Sequence, residues 1–104
     1  MYAVLTQFTV AHGMWAQMAK STDQLFAVIK SQKGFKQATF FGDDAAGKYN
    51  ALILWDSKAN ADASYAVTSP RIQQGLGTVL KAPPVRQAFE TYEPNPHEAE
   101  TPNS

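Results

Sequence analysis

The sequence predicts an α+β domain of βαββαβ order, an antiparallel sheet with its helices on one face. Three observations predict it. One stretch with apolar residues at helical spacing and one alanine-rich stretch alternate with four stretches rich in β-branched and aromatic residues. Ala51-Leu52-Ile53-Leu54-Trp55 is apolar without interruption and Ala3-Val4-Leu5 nearly so, whereas an antiparallel strand with one wet face alternates. The helices supply a single layer, which covers one face of a four-stranded sheet and leaves the other apolar and bare.

Ala3 to Val10 reads as the first strand, ending at Ala11-His12-Gly13, where glycine lets the chain turn. From Gly13 to about Gln32, Trp15, Met18, Thr22, Leu25, Phe26 and Ile29 recur at three- and four-residue steps while Lys20, Asp23, Gln24 and Lys30 fall elsewhere, the pattern of an amphipathic helix. Ser21 with Gln24 also resembles a capping box, so a break near Ser21 is an alternative. Lys33-Gly34 ends the helix, Phe35 to Gly42 forms the second strand, and Asp43-Asp44-Ala45-Ala46-Gly47 is a polar hairpin loop closed by glycine. Tyr49 to Trp55 is the third strand. Asp56-Ser57 offers capping oxygens to an alanine-rich helix from Lys58 to about Val67. Ser69-Pro70 interrupts that helix, and because proline suits a first turn, Arg71 to about Leu80 is expected as a second short segment. Pro83-Pro84 stops the helical layer, and Val85 to Glu93 forms the last strand, with proline at its start as on a sheet edge. The domain thus takes residues 1–93, and the polar, proline-rich stretch 94–104 is expected to be a flexible tail.

In the ferredoxin-like, split-βαβ order the first and third strands are central and the second and fourth are edges, in agreement with the less continuous patterns of Phe35–Gly42 and Val85–Glu93. A second copy packed sheet to sheet is the expected cover for the bare face, making a homodimer. A monomer with a central strand that is simply apolar all round is the alternative.

Nine basic and nine acidic side chains cancel, which argues against nucleic acid or an anionic membrane as a partner; Lys30, Lys33 and Lys36 read as a solvated turn. The absence of cysteine excludes disulfides, thiolate metal sites and a cysteine nucleophile. No cluster has metal-ligand spacing, and Asp43-Asp44 reads as a turn former. Gly75-x-Gly77 has no third glycine at Leu80 and no strand before it, so it is not a dinucleotide loop. No cofactor is expected. No run is long enough to cross a bilayer, and Met1-Tyr2-Ala3-Val4-Leu5 lacks the features of a signal peptide, so a cytoplasmic protein is expected.

Gly13 before a long helix, Gly34-Phe35 opening the second strand, a third strand closing on Trp55 with Asp56-Ser57-Lys58-Ala59 entering the next helix, Ser69-Pro70, and a last strand around Phe89 lie end to end. Through them the sequence resembles the antibiotic-biosynthesis monooxygenase family of the dimeric α+β barrel superfamily over nearly all of residues 1–93. The resemblance implies a dimeric α+β barrel with a pocket between the helices and sheet of each protomer. In some members it implies a cofactor-free oxygenation of phenolic or quinol-type compounds. Haem-degrading members use an asparagine, a tryptophan and a histidine at positions that fall here on Thr6, Ser64 and Gln74, so haem degradation is not expected.

Cofactor-free oxygenation asks little of a protein, because the substrate supplies the electrons while the pocket binds it, helps to remove a proton and steadies the anion. His12, at the end of the first strand, is the candidate base, since its imidazole titrates near neutral pH; a solvated loop histidine is the plain reading. Tyr65 can relay a proton and Arg71 can hold a carboxylate or phenolate, or each can be a surface residue of the helical layer. Trp15, Phe26, Phe40 and Trp55, with Tyr65, are candidates to line an aromatic pocket for a small aromatic or hydrophobic ligand, although aromatics at such spacing equally build a core, Trp55 above all. Asn50 and Gln7 are possible hydrogen-bond donors whose facing depends on one residue of register. Two functions follow from different classes: a cofactor-independent monooxygenase-like enzyme acting on an aromatic or quinol-type molecule, and a non-catalytic dimer of the same fold that binds a small hydrophobic molecule or serves a stress response. An isomerase or decyclase is a third.

Overall fold

A computed structural model of the chain describes residues 1–92 and Pro94. The elements run β1 (Tyr2–Thr9), α1 (Trp15–Ile29), β2 (Phe35–Asp43), β3 (Lys48–Trp55), α2 (Lys58–Leu76) and β4 (Val85–Glu90). The strands form one antiparallel sheet in the order β2-β3-β1-β4, so the two strands with the most continuous apolar patterns are indeed central. Strand β1 pairs with β3 from Tyr2 opposite Trp55 to Thr9 opposite Lys48, and with β4 from Tyr2 opposite Glu90 to Gln7 opposite Val85.

That register, with its period of two, sorts the side chains. Val4 and Phe8 of β1 and Tyr49, Ala51, Ile53 and Trp55 of β3 face the helices and are buried against them. Their neighbours Leu5, Leu52 and Leu54 point to the opposite face, together with Phe41 of β2 and Val85 and Phe89 of β4; Phe41, Leu52, Val85 and Phe89 are exposed there. Both helices lie on one side, and the apolar character of the other side has no cover among the described residues. The helix side holds two core clusters. One gathers Phe8, Val10, Met18, Tyr49, Ala51 and Leu76; the other gathers Val4, Ile29, Ile53, Trp55 and Ala61.

Local chemistry sets the ends of the elements. The Ser57 hydroxyl accepts the Asn60 amide at 3.2 Å and caps α2, while the Asp56 carboxylate accepts the Asn60 side chain at 2.7 Å, which holds its pKa below the usual carboxylate range. In the β2–β3 hairpin, Gly47 has φ +67°, and a Cβ there would run into the Val10 carbonyl, so glycine meets both a backbone and a packing demand. The Val10 amide donates to the Gly47 carbonyl at 2.9 Å and ties this hairpin to the end of β1.

Three boundaries differ from expectation. Helix α2 runs unbroken through Pro70 instead of splitting at Ser69-Pro70. Proline removes the bond to the Ala66 carbonyl, but Ala66 and Pro70 are both exposed, so water can serve that carbonyl. The helix then stops at Leu76 and not near Leu80, because Leu80 bridges to Val10 and the Lys81 amide donates to the Thr9 carbonyl at 2.8 Å. Ser21, by contrast, lies within an unbroken α1, as the apolar spacing of that helix predicts and the capping-box alternative does not. Strand β4 ends at Glu90, and Glu93 and the expected tail, apart from Pro94, lie outside the described residues. Among the described residues no helix is long and apolar enough to cross a membrane.

Candidate functional site

Helix α1 leaves a cavity of about 250 Å³ between itself and the sheet. Its helical wall is Trp15, Met18, Ala19 and Thr22, its floor is Phe8, Phe40, Tyr49 and Ala51, and Leu76 of α2 closes one side. Alanines at 19 and 51 leave room that longer side chains would fill. The lining is mostly apolar, the type of surface that a flat aromatic ligand prefers. A groove of about 280 Å³ between α1 and α2 adjoins it, sharing Ser21, Leu25 and Leu76, and is bordered by Gln24, Arg71 and Gln74.

The aromatic walls are braced. The Trp15 ring lies 5.7 Å from that of Tyr49 at 48°, and Phe26 meets Phe40 edge-on at 5.8 Å and 81°. Tyr49 is buried, and its hydroxyl donates to the Asp44 carboxylate in the hairpin loop. Burial first, and the Asp44 contact second, push the Tyr49 phenol up to about 12, against a smaller opposing effect of the Met14 amide. The loop around Asp44 is itself anchored, since the Asp44 carbonyl accepts the Gly47 amide at 3.2 Å and the Gly13 amide at 3.4 Å, and Asp43 accepts the Ala46 amide at 3.3 Å.

The residues singled out from the sequence are brought together only in part. Trp15 and Phe40 line the cavity, and Phe26 supports Phe40 from behind. Asn50 also borders it, but the Asn50 side chain accepts from Gln7 Nε2 at 3.2 Å across the opposite face of the sheet. Trp55 is buried at the other end of β3, edge-on to Phe35 at 5.9 Å, as part of the second core cluster. Arg71 borders the interhelical groove. His12 is exposed on the loop after β1 and lines neither space. Tyr65 projects from α2 towards β4, where the Arg86 guanidinium lies 4.6 Å from its ring centre and reaches Asp62 at 3.4 Å. Lys58 also pairs with Asp62, and the two groups hold each other's charge: Asp62 titrates lower and Lys58 higher than usual. Sequence reasoning passed over the Tyr49–Asp44 contact. Its one signal was a tyrosine opening a strand directly after an acidic hairpin. Among the described residues no group of three or more His, Cys, Asp or Glu could hold a metal ion.

The fold has solved counterparts. SnoaB, a cofactor-independent oxygenase from Streptomyces nogalater, superposes with a TM-score of 0.74 at 17% identity, over 91% of this chain and 96% of its own. An antibiotic biosynthesis monooxygenase superposes with a TM-score of 0.73 at 13% identity, over 89% of this chain and 100% of its own. A Nitrosomonas europaea protein of unknown function gives 0.76 at 13%, over 90% and 91%. No family model and no curated protein matches the sequence. The chain therefore shares the ferredoxin-like α+β fold of these proteins, and at such identities the likeness speaks for the fold.

Proposed function

We propose, from a fold shared with a cofactor-independent oxygenase, that this protein is a small monooxygenase-like enzyme that oxidises an aromatic or quinol-type molecule without a cofactor. The observation that carries the reading is the aromatic-walled, largely apolar cavity beneath α1. A flat ring fits between Trp15 and Phe40 by offset and edge contacts. The substrate anion supplies the electrons that reduce oxygen, and exclusion of water from an apolar cavity protects the reduced-oxygen stage. Arg71, in the adjoining groove, is the cation placed to hold a phenolate or carboxylate arm. His12, exposed on the loop that precedes α1, is the base that carries the substrate proton on to solvent, and an unchanged pH–rate profile in His12→Ala would remove it from the mechanism.

The enzyme works as a homodimer through the bare sheet face, where Leu52 and Phe89 are exposed. Oxygen uptake with a panel of dihydroxyaromatic compounds tests the reading. Turnover supports it; thermal stabilisation by a ligand without turnover supports the second reading, a non-catalytic dimer that binds a hydrophobic molecule. The second reading draws on one feature: Asp23 and Tyr49 are the titratable side chains among the cavity-lining residues.

A further inference from the structure

Tyr49 is buried, lines the cavity and donates its hydroxyl to a carboxylate, and the mechanism above gives it no task. The other polar cavity residues are less suited to meet a substrate hydroxyl. Asn50 is committed to Gln7, Asp23 is exposed, and Ser21 and Thr22 belong to the body of α1. From Tyr49 inward to Asp44 outward, burial falls: Tyr49 is buried, and Asp44 is partly open to solvent. A phenol that donates to a carboxylate also becomes a better acceptor, because the two hydrogen bonds polarise each other.

We propose that Tyr49 and Asp44 form the hydroxyl-recognising, proton-transfer pair of this cavity. A ring hydroxyl of the bound aromatic donates to the Tyr49 oxygen. As the substrate O–H bond breaks, its proton joins Tyr49 while the Tyr49 hydroxyl proton passes to the Asp44 carboxylate; the electron pair stays on the substrate as its anion. Tyr49 is neutral before and after, and Asp44 returns the proton to water. A phenol that resists ionisation suits such a relay, since it passes a proton on without becoming a tyrosinate. The transfer step rests on the oxygenase reading, whereas the recognition of a hydroxyl does not.

The test therefore has two arms, each run on the wild type, Tyr49→Phe and Asp44→Asn. Calorimetric titration compares 1-naphthol with 1-methoxynaphthalene, which has the same ring and no hydroxyl to donate. The wild type should prefer naphthol about fivefold, the yield of one net hydrogen bond, and each variant should bring the two ligands within about twofold while binding methoxynaphthalene as the wild type does. With any compound that the oxygen-uptake panel shows to be turned over, each variant should lower kcat about a hundredfold with little change in KM, and the double variant should fall no further than either single. A naphthol preference lost in the variants, in a protein that consumes no oxygen, sustains the recognition site and sinks the oxygenase reading. A wild type that does not distinguish the ligands, or variants that both keep the preference, overturn the inference. Should Tyr49→Phe fail to fold, Asp44→Asn carries both arms alone.

Discussion

Leu52→Asp is the sharpest test of how the sheet is used. On the bare face Phe41, Leu52, Val85 and Phe89 are 47%, 36%, 57% and 51% exposed, about two side chains' worth of apolar surface. At about 1.5–3 kcal/mol per fully buried side chain, covering them yields roughly 3–6 kcal/mol per protomer and roughly 6–12 kcal/mol per pair. That range is comparable with the ~4–15 kcal/mol lost when two bodies associate, so the half-buried Leu5 and Leu54 and good fit decide the margin, and a single charge can reverse it. Leu52→Asp removes about 1 kcal/mol of apolar burial on each side and asks two carboxylates to leave water, at several kcal/mol each. A weakening of at least about a thousandfold in the dimer constant follows, from a loss of more than ~4 kcal/mol. Light scattering on the eluting protein, with sedimentation at micromolar concentration, reads this directly. The wild type should be a dimer, Leu52→Asp a folded monomer by circular dichroism, and Ala63→Asp, exposed on α2, a dimer like the wild type. A monomeric wild type at micromolar concentration, or a Leu52→Asp variant that dimerises as tightly, would show that the bare sheet face is not the interface.

Gly47→Ala should lower the unfolding free energy by at least about 2 kcal/mol, because it sets a Cβ at positive φ and against the Val10 carbonyl; an unchanged urea midpoint would contradict this. Trp15→Ala should weaken 1-methoxynaphthalene binding about tenfold by removing one cavity wall, yet cost only about 1 kcal/mol of stability, since the ring is half exposed. Alkaline titration followed by tyrosinate absorbance should show one of the four tyrosines ionising last, near pH 12. Because the fold raises this phenol above its unfolded value of 10.0, the stability it contributes is complete below about pH 10 and is lost as pH rises towards 12. Tyr49→Phe should lose less stability over that interval, and a parallel loss in both proteins would show that Tyr49 is not the group involved.

The fold was legible where one physical demand dominates. An uninterrupted apolar run such as Ala51–Trp55 reads as a central strand, as does the nearly continuous Ala3–Leu5, and the sheet order β2-β3-β1-β4 places both strands inside. Pro70 was misleading because the proline rule counts a lost N–H, whereas the outcome depends on whether water reaches the abandoned carbonyl, which is a property of the helix's exposed side. The inward face of α2 was hard to read for a related reason: before Leu76 it buries Ala61, Ser64 and Thr68, small and partly polar residues that carry no hydrophobic signature. Tyr65 therefore looked as eligible for the cavity as any residue of that helix, and only the packing turns it towards Arg86. Asn50 hung on a single residue of register, which its pairing with Gln7 resolves. Tyr49 and Asp44 are a pair made by hairpin geometry, which no periodicity encodes.

The strand order also sets a timetable. Strand β1 is made before the other strands, yet its two partners, β3 and β4, follow only after α1 and α2 respectively, with Tyr2 matched to Trp55 on one side and Glu90 on the other. The β2–β3 hairpin, by contrast, closes locally over Gly47 and needs nothing else to begin. Loop-closure entropy favours that hairpin as the nucleus, with β1 docking onto it and β4 sealing the edge last. A nascent chain thus carries β1 unpaired until β3 has been made, and keeps the β1 edge that β4 will cover open until α2 and β4 have followed.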